Sequence, residues 1–236
     1  MERVSTASLQ PEMFDIYGHL PSHSYMELVE SSPHFIENFG EKSLLALKIK
    51  YRRSIESGGD YKIHKSPTKK DEHFFEIKND AGHSFCSVLV QDGAHPRLEA
   101  TETPPESHLY LSNYKTDRKS FRASDVIQDL LLKRVEYAQA QFNESLESLI
   151  QRNVGFYVTE IDFTLAKLES PNSISCQSWV SRLSGGNMIL NVPFALSTEL
   201  GPMASGHLKA AVIDISTKKP TPLPKNLRNL FFKNAT

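Results

Sequence analysis

The sequence predicts an α+β protein in which one unit, an antiparallel sheet wrapped around a long central helix, occurs twice. Three observations carry this reading. Two long stretches keep apolar residues at helical steps of three and four. Each is followed by several short runs with the strand period of two. A stretch rich in Pro and Glu lies between the two sets and reads as a connection. One apolar helix beside a curved antiparallel sheet is a two-layer arrangement. A single such unit leaves sheet edge exposed, and pairing two units side by side covers part of it.

The first helix is predicted from about Ser22 to Phe39, with Tyr25, Leu28, Val29, Ser32, Phe35, Ile36 and Phe39 on one face. Gly40 is placed to end it. Pro33 removes one helix hydrogen bond, so the helix is expected to kink or restart there. Next, Leu45, Leu47, Ile49 and Tyr51 alternate with Lys48, Lys50 and Arg52 as a strand. Ser57-Gly58-Gly59-Asp60 is a turn. Strands follow over Asp60 to Lys65, His73 to Lys78 and Phe85 to Gln91, the last two joined across Asn79-Asp80-Ala81-Gly82.

Residues 94–107 form the connection between units, and Leu109 to Tyr114 opens the second unit as a strand. The second helix is predicted from about Ser124 to Ile150. Ser124 or Asp125 can cap it, and Val126, Ile127, Leu130, Leu131, Val135, Ala138, Phe142, Leu146 and Leu149 keep its spacing. Strands are then expected over Gly155 to Leu168, Ser173 to Leu183, Asn187 to Ala195 and His207 to Ile215. Ser184-Gly185-Gly186 makes a tight hairpin between two of them.

Composition narrows the function classes. The chain has 236 residues, 39% hydrophobic and 23% charged, with a formal net charge of −1. That balance excludes a globally basic nucleic-acid binder. Cys86 and Cys176 are too few for a disulfide framework or a zinc cluster, and both sit in apolar strand-like runs, so buried thiols are expected. The histidines show no metal-ligand spacing. Met1-Glu2-Arg3-Val4-Ser5 opens without the apolar core of a signal peptide. No run approaches the roughly 18 apolar residues of a membrane span. The expectation is a soluble, cytoplasmic protein.

The most specific stretch is Phe14-Asp15-Ile16-Tyr17-Gly18-His19-Leu20-Pro21-Ser22-His23-Ser24-Tyr25. It resembles the Asp-x-x-Gly-His signature of hot-dog acyl thioesterases, which in that family lies between the first strand and the central helix. Lys48 to Ser54 with Gly58-Gly59-Asp60 resembles the family's strand and Gly-Asp turn. Leu208 to Ile215, followed by Thr217-Lys218-Lys219-Pro220 and Leu223-Pro224, resembles its closing strand and tail. The resemblance is to 4-hydroxybenzoyl-coenzyme A thioesterases and to acyl-carrier-protein thioesterases. It implies a tandem, or double, hot-dog: residues 1–93 as the unit carrying the motif, 94–107 as linker, and 108–236 as a unit lacking it. It also implies an acyl-coenzyme A or acyl-carrier-protein substrate from fatty acid or polyketide metabolism, with no cofactor and no metal. The two units would pair within one chain as a pseudo-dimer, with a homo-oligomer as a further possibility.

Elementary chemistry says what these residues offer. A carboxylate just before a helix can attack a thioester carbonyl or deprotonate water. The exposed N–H groups of that helix face the negative charge that develops on the carbonyl oxygen. Gly18 permits a tight turn and a close backbone approach. By resemblance Asp15 is the nucleophile or general base, the Ser22 N–H polarises the carbonyl, and His19 orients the site or meets the substrate. Tyr17, Gly18, Tyr25 and Arg52 are placed on the substrate-binding side. The sequence departs from the family at Pro21-Ser22, where Asn-Asn is common, and at Tyr17, where some relatives have Asn; Pro21 has no N–H to donate.

Other readings stand beside this one. Lys48, Lys50, Arg52 and Arg53 form either a solvated strand face or a phosphate contact for coenzyme A. The same fold can carry a dehydratase, an acyl transferase or a non-catalytic acyl-binding protein, although no Asp and His at dehydratase spacing stand out along the chain. The second half lacks the signature. A register through Leu28-Val29-Glu30 and Arg134-Val135-Glu136 sets Phe121 opposite Asp15. One active pocket per chain is therefore expected, with Arg122, Asp125 and Gln128 reaching it across the seam.

Overall fold

The computed structural model describes residues 1–15, 18–68, 71–93, 110–118, 120–142, 145–166 and 171–231. The first half holds strand β1 (Glu2–Leu9), a 3-10 turn (Pro11–Met13), helices α1 (Ser22–Glu30) and α2 (Pro33–Phe39), and strands β2 (Leu44–Tyr51), β3 (Gly59–Pro67), β4 (Glu72–Lys78) and β5 (Ser84–Asp92). The second half holds β6 (Tyr110–Lys115), α3 (Ala123–Phe142), α4 (Leu146–Gln151), β7 (Val154–Ala166), β8 (Ser173–Ser178), β9 (Arg182–Ser184), β10 (Ile189–Thr198), β11 (Gly201–Asp214), β12 (Lys219–Pro220) and α5 (Lys225–Phe231). The expected linker, 94–107, lies outside the described residues.

All these strands join one sheet in the order β1-β3-β4-β5-β2-β7-β11-β10-β8-β6, with β9 added on β10 and β12 on β11. Within each half the order from edge to centre is the same. The first long strand lies at the edge, then the third, fourth and fifth, and the second reaches the middle. The two middle strands, β2 and β7, pair antiparallel from Leu44 opposite Ala166 to Lys50 opposite Glu160. That ladder satisfies the inner edge of each half, which would otherwise be a row of open backbone groups.

Both predicted helices are interrupted, for local reasons. Ser32 is extended and its side chain accepts from the Phe35 N–H at 3.3 Å, so α2 restarts with Pro33 at its first turn, where a missing N–H costs nothing. Ser145 caps α4 in the same way, accepting from the Ser148 N–H at 3.1 Å. The run expected as one strand over Ser173 to Leu183 is instead β8 and β9. The break at 179–181 lies against Pro193 of β10, which has no N–H for that side of the ladder. Only the Pro193 carbonyl is used there, accepting from Trp179 N at 3.3 Å.

The helices bury one face each in a single core. Tyr25, Met26 and Val29 of α1 and Val126, Ile127 and Leu130 of α3 are almost wholly enclosed, together with Leu47, Ile49, Phe75, Val88, Ile161 and Phe163 of the sheet. Each such side chain stabilises the fold by about 1.5–3 kcal/mol relative to exposure. Gly206 marks the tightest strand contact, since a Cβ there would collide with the Asp162 carbonyl and with Phe163. Cys86 and Cys176 are buried, and neither is in a disulfide.

The opposite face of the central strands is charged. Lys48 meets Asp162 at 2.9 Å, Lys209 meets Glu160 at 2.8 Å, and Lys50 lies 3.8 Å from Glu160. These cross-strand pairs answer the alternation of lysines seen in the sequence. Among the described residues no helix is long and apolar enough to cross a membrane.

Candidate active site

The described residues of the signature stretch close a turn ahead of α1. The Asp15 N–H donates to the His19 carbonyl at 2.9 Å, and the Gly18 N–H donates to the Asp15 carbonyl at 2.9 Å. The Asp15 carboxylate accepts from the His19 N–H at 3.0 Å. Gly18 closes the turn at φ 72°, a left-handed conformation that glycine adopts without a Cβ penalty. Asp15 is exposed. Tyr17, expected on the substrate side, lies outside the described residues.

This turn is held down from below by the segment after β2. The Leu20 N–H donates to the Ile55 carbonyl at 2.9 Å. The Tyr25 hydroxyl accepts from the Ile55 N–H at 2.8 Å and donates to the Arg53 carbonyl at 3.4 Å. Burial holds the Tyr25 hydroxyl well above its ordinary pKa, so it stays protonated. The structure therefore places Tyr25 in the core as an anchor for the turn. His19 Nε2 lies 3.3 Å from Glu56, which also receives Lys218 Nζ at 2.8 Å. The Lys218 ammonium is the main reason the Glu56 carboxyl is held below its usual range. Arg52 is exposed at the end of β2, where its N–H donates to the Phe85 carbonyl at 2.8 Å. Among the described contacts none joins it to Asp15 or His19.

Helix α1 starts at Ser22 behind Pro21, and among the described residues no side chain caps this end. The Ser22 carbonyl is engaged by the Tyr51 hydroxyl at 2.9 Å, which fixes the first turn in place. A helix start without a side-chain cap presents N–H dipoles to whatever lies ahead of it.

The start of α3 is different. Glu30, at the far end of α1, is buried and crosses to the second half. Its carboxylate accepts from the Ala123 N–H at 2.7 Å, the Ser124 N–H at 3.4 Å and the Ser124 hydroxyl at 2.5 Å. Burial raises the Glu30 pKa, and the bonds from Ser124 and Ala123 oppose that rise. The Arg122 N–H is taken by the Asp125 carboxylate at 2.9 Å. The Arg122, Ala123 and Ser124 N–H groups at this helix start are thus answered within the protein.

A cleft of about 220 Å³ opens beside Glu30, between Phe35 and Phe39 of α2, Leu45, Phe121, Arg122 and Leu165. It falls below the usual 300–1,000 Å³ of small-molecule sites. Asp15 does not line it. Of the residues expected across the seam, Arg122 lines the cleft. Gln128 is held in its own half by Arg118 at 3.3 Å, and Arg118 also pairs with the buried Asp129 at 3.0 Å. Asp125 faces α1, where its charge and that of Glu27 act on His23. Burial is the larger influence and lowers the His23 pKa, which favours a neutral imidazole near pH 7.

Sequence reasoning missed Glu30, Glu56, Lys218 and the neighbourhood of His23. Glu30 had a usable signal: it follows Met26 by four and so falls on the buried stripe of α1, where a lone carboxylate needs donors. Glu56 and Lys218 had none, being 162 residues apart. No group of three or more His, Cys, Asp or Glu among the described residues is placed to hold a metal ion.

No protein-family model and no curated protein matches the sequence. Solved structures do match the fold. An inferred oleoyl thioesterase from Lactobacillus plantarum superposes with a TM-score of 0.64 at 7% identity, covering 89% of this chain and 95% of that one. An inferred thioesterase from Novosphingobium aromaticivorans gives 0.58 at 10% identity, over 87% and 94% of the two chains. The dehydratase domain of PpsC from Mycobacterium tuberculosis, in complex with C12:1-CoA, gives 0.56 at 11% identity, over 88% and 92%. At such identities the likeness is one of fold.

Proposed function

We propose that this chain, which has the hot-dog fold shared with thioesterases, hydrolyses an acyl thioester to a free carboxylic acid and a thiol. The observation that carries the reading is the turn closed by Asp15, Gly18 and His19 ahead of α1, whose start has no capping side chain among the described residues. In this reading the chain is a tandem hot-dog: residues 1–93 carry the chemistry and 108–236 serve as scaffold. The carbonyl lies at the start of α1, where the Ser22 N–H stabilises the oxyanion. Asp15 attacks it or deprotonates a water, and His19, tethered to Glu56, keeps the turn in position. Gly18 leaves room for the thioester, Tyr25 holds the turn from the core, and Tyr17 and Arg52 meet the remainder of the substrate.

The cleft beside Glu30 lies at the other end of α1, about 12 Å along the helix axis. Its phenylalanine and leucine walls suit the tail of an acyl chain, not the reacting carbonyl. The carrier is coenzyme A or an acyl-carrier protein.

A second reading is dehydration of a hydroxyacyl thioester, favoured by His23 standing within the influence of Asp125 from the opposite half. A neutral imidazole can take a proton from carbon, and a carboxyl group can assist the departing hydroxyl. Purified protein offered short, long, branched and aromatic acyl-coenzyme A substrates, with hydroxyacyl forms included, separates the two. Hydrolysis releases free thiol stoichiometric with acid. Enoyl thioester without free thiol refutes hydrolysis in favour of dehydration, and neither product from any donor refutes both.

A further inference from the structure

Helix α2 is held against the sheet by a chain of hydrogen bonds whose direction is fixed. His34 Nδ1 lies 3.2 Å from Lys65 Nζ on β3, and His34 Nε2 lies 2.8 Å from His73 Nδ1 on β4. An ammonium group can only donate. His34 Nδ1 must therefore carry a lone pair, and the proton of a neutral ring sits on Nε2. That N–H donates to His73 Nδ1, which must carry a lone pair in turn. Asn38 points its amide donor at His34 Nδ1 from 3.4 Å and anchors that amide on the His34 carbonyl at 2.7 Å. The two imidazoles stack with centroids 5.0 Å apart, and His73 meets the edge of Phe39 at 5.0 Å.

Both acceptors in this chain disappear on protonation. A proton on His34 Nδ1 turns an N–H against the Lys65 ammonium, and a proton on His73 Nδ1 turns one against His34. A proton on His34 Nδ1 also sets like charges about 3 Å apart in a half-buried place. We propose that His34 and His73 form a proton-operated latch: neutral, they tie α2 to β3 and β4, and a proton on His34 Nδ1 breaks the tie and releases α2. Because Phe35 and Phe39 of the same short helix wall the cleft beside Glu30, release also remodels that cleft.

The charged groups facing the latch come from every element packed on it. Lys65 on β3 and His73 on β4 disfavour a second charge on His34, whereas Glu37 on α2 and Glu2 on β1 favour one. Glu2 is partly committed, since it lies 3.3 Å from Lys65 Nζ. Burial, then Lys65, dominate and lower the His34 pKa. A histidine with a lowered folded-state pKa binds fewer protons folded than free, so docking is complete above its ordinary value of about 6.5 and weakens as pH falls below it.

Site-resolved hydrogen exchange of the full chain at pH 7.5 and pH 5, corrected for the intrinsic pH dependence of exchange, measures this without any acyl thioester. Its outcome is therefore independent of the hydrolysis reading. The α2 opening constant is expected to rise severalfold toward pH 5, the direction that the lowered His34 pKa sets, while that of β10 and β11 stays level. The double variant His34→Gln, His73→Gln keeps acceptors but cannot titrate, and should show α2 opening independent of pH. An unchanged wild-type α2, or a double variant with the wild-type pH dependence, overturns the latch. Ring ¹⁵N shifts of the wild type supply a second reading should the variant fail to fold. The latch requires bare Nδ1 atoms on both rings at pH 7.5, and a proton on either one there contradicts it.

Discussion

The two long helices begin in opposite ways. At α1 the connection from the preceding strand, residues 10–21, has room for the Asp15–His19 turn, and no described side chain caps the helix. At α3 the connection is residues 116–122, and the helix start is filled by Glu30 reaching over from the other half. An oxyanion site needs donors that are oriented yet unspent. One helix start retains such donors and the other has spent them on an internal carboxylate. Under the proposed hydrolysis, the difference supplies a physical reason for a single reaction centre in a chain whose two halves share a strand order.

The comparison can be broken from either side. Asp15→Asn keeps the turn's acceptor but removes the negative charge, and thiol release should fall about 10²–10⁴-fold if the carboxylate reacts. Wild-type turnover in the folded variant removes Asp15 from the chemistry. Glu30→Ala strips the donors of α3 of their partner inside a buried seam. Chemical denaturation should register a loss of about 2–4 kcal/mol. Since burial raises the Glu30 pKa, the stability this group gives is complete below the ordinary glutamate range and declines as pH rises through its raised value. The gap between wild type and variant should accordingly narrow as pH rises above the ordinary glutamate range of about 4.

Smaller effects sharpen the picture at α1. Gly18→Ala places a Cβ at φ 72° with nothing described within 4 Å, so its cost is the backbone penalty alone, about 1–2 kcal/mol. Tyr51→Phe frees the Ser22 carbonyl and should cost about 1 kcal/mol in stability, with a modest loss of turnover as the helix start loosens. A Tyr51→Phe variant that gained turnover would contradict the positioning role given to that bond.

Much of the architecture was legible because it depends on local period and punctuation. The strands around Leu47, Phe75 and Val88 announced themselves by alternation, and Pro33 announced the break between α1 and α2. What failed was anything decided between distant strands. Pro193 splits the neighbouring run into β8 and β9 only because β10 lies beside it. The register drawn through the two Val-Glu pairs set Phe121 opposite Asp15, whereas helix starts at Ser22 and Ala123 require a different alignment.

The site was half legible. Asp15, Gly18, His19 and Ser22 do fall in one turn and the helix it enters, because they are neighbours in sequence. Tyr25 is expected on the apolar helix face and on the substrate side, and the hold of its hydroxyl on the Ile55 and Arg53 backbone groups is not legible in the sequence. Glu30 looked like a polar helix residue, and its partners Ala123 and Ser124 belong to the other half of the chain.

The most direct measurement is a titration of ¹⁵N-labelled protein with a coenzyme A analogue whose thioester sulfur is replaced by methylene, leaving an uncleavable ketone. The account expects the Ser22 and His23 amides to shift as donors to its carbonyl, with Ala123 and Ser124 unmoved behind Glu30. Shifts at Ala123 and Ser124 with Ser22 and His23 silent would place the reacting carbonyl at the wrong helix and contradict it.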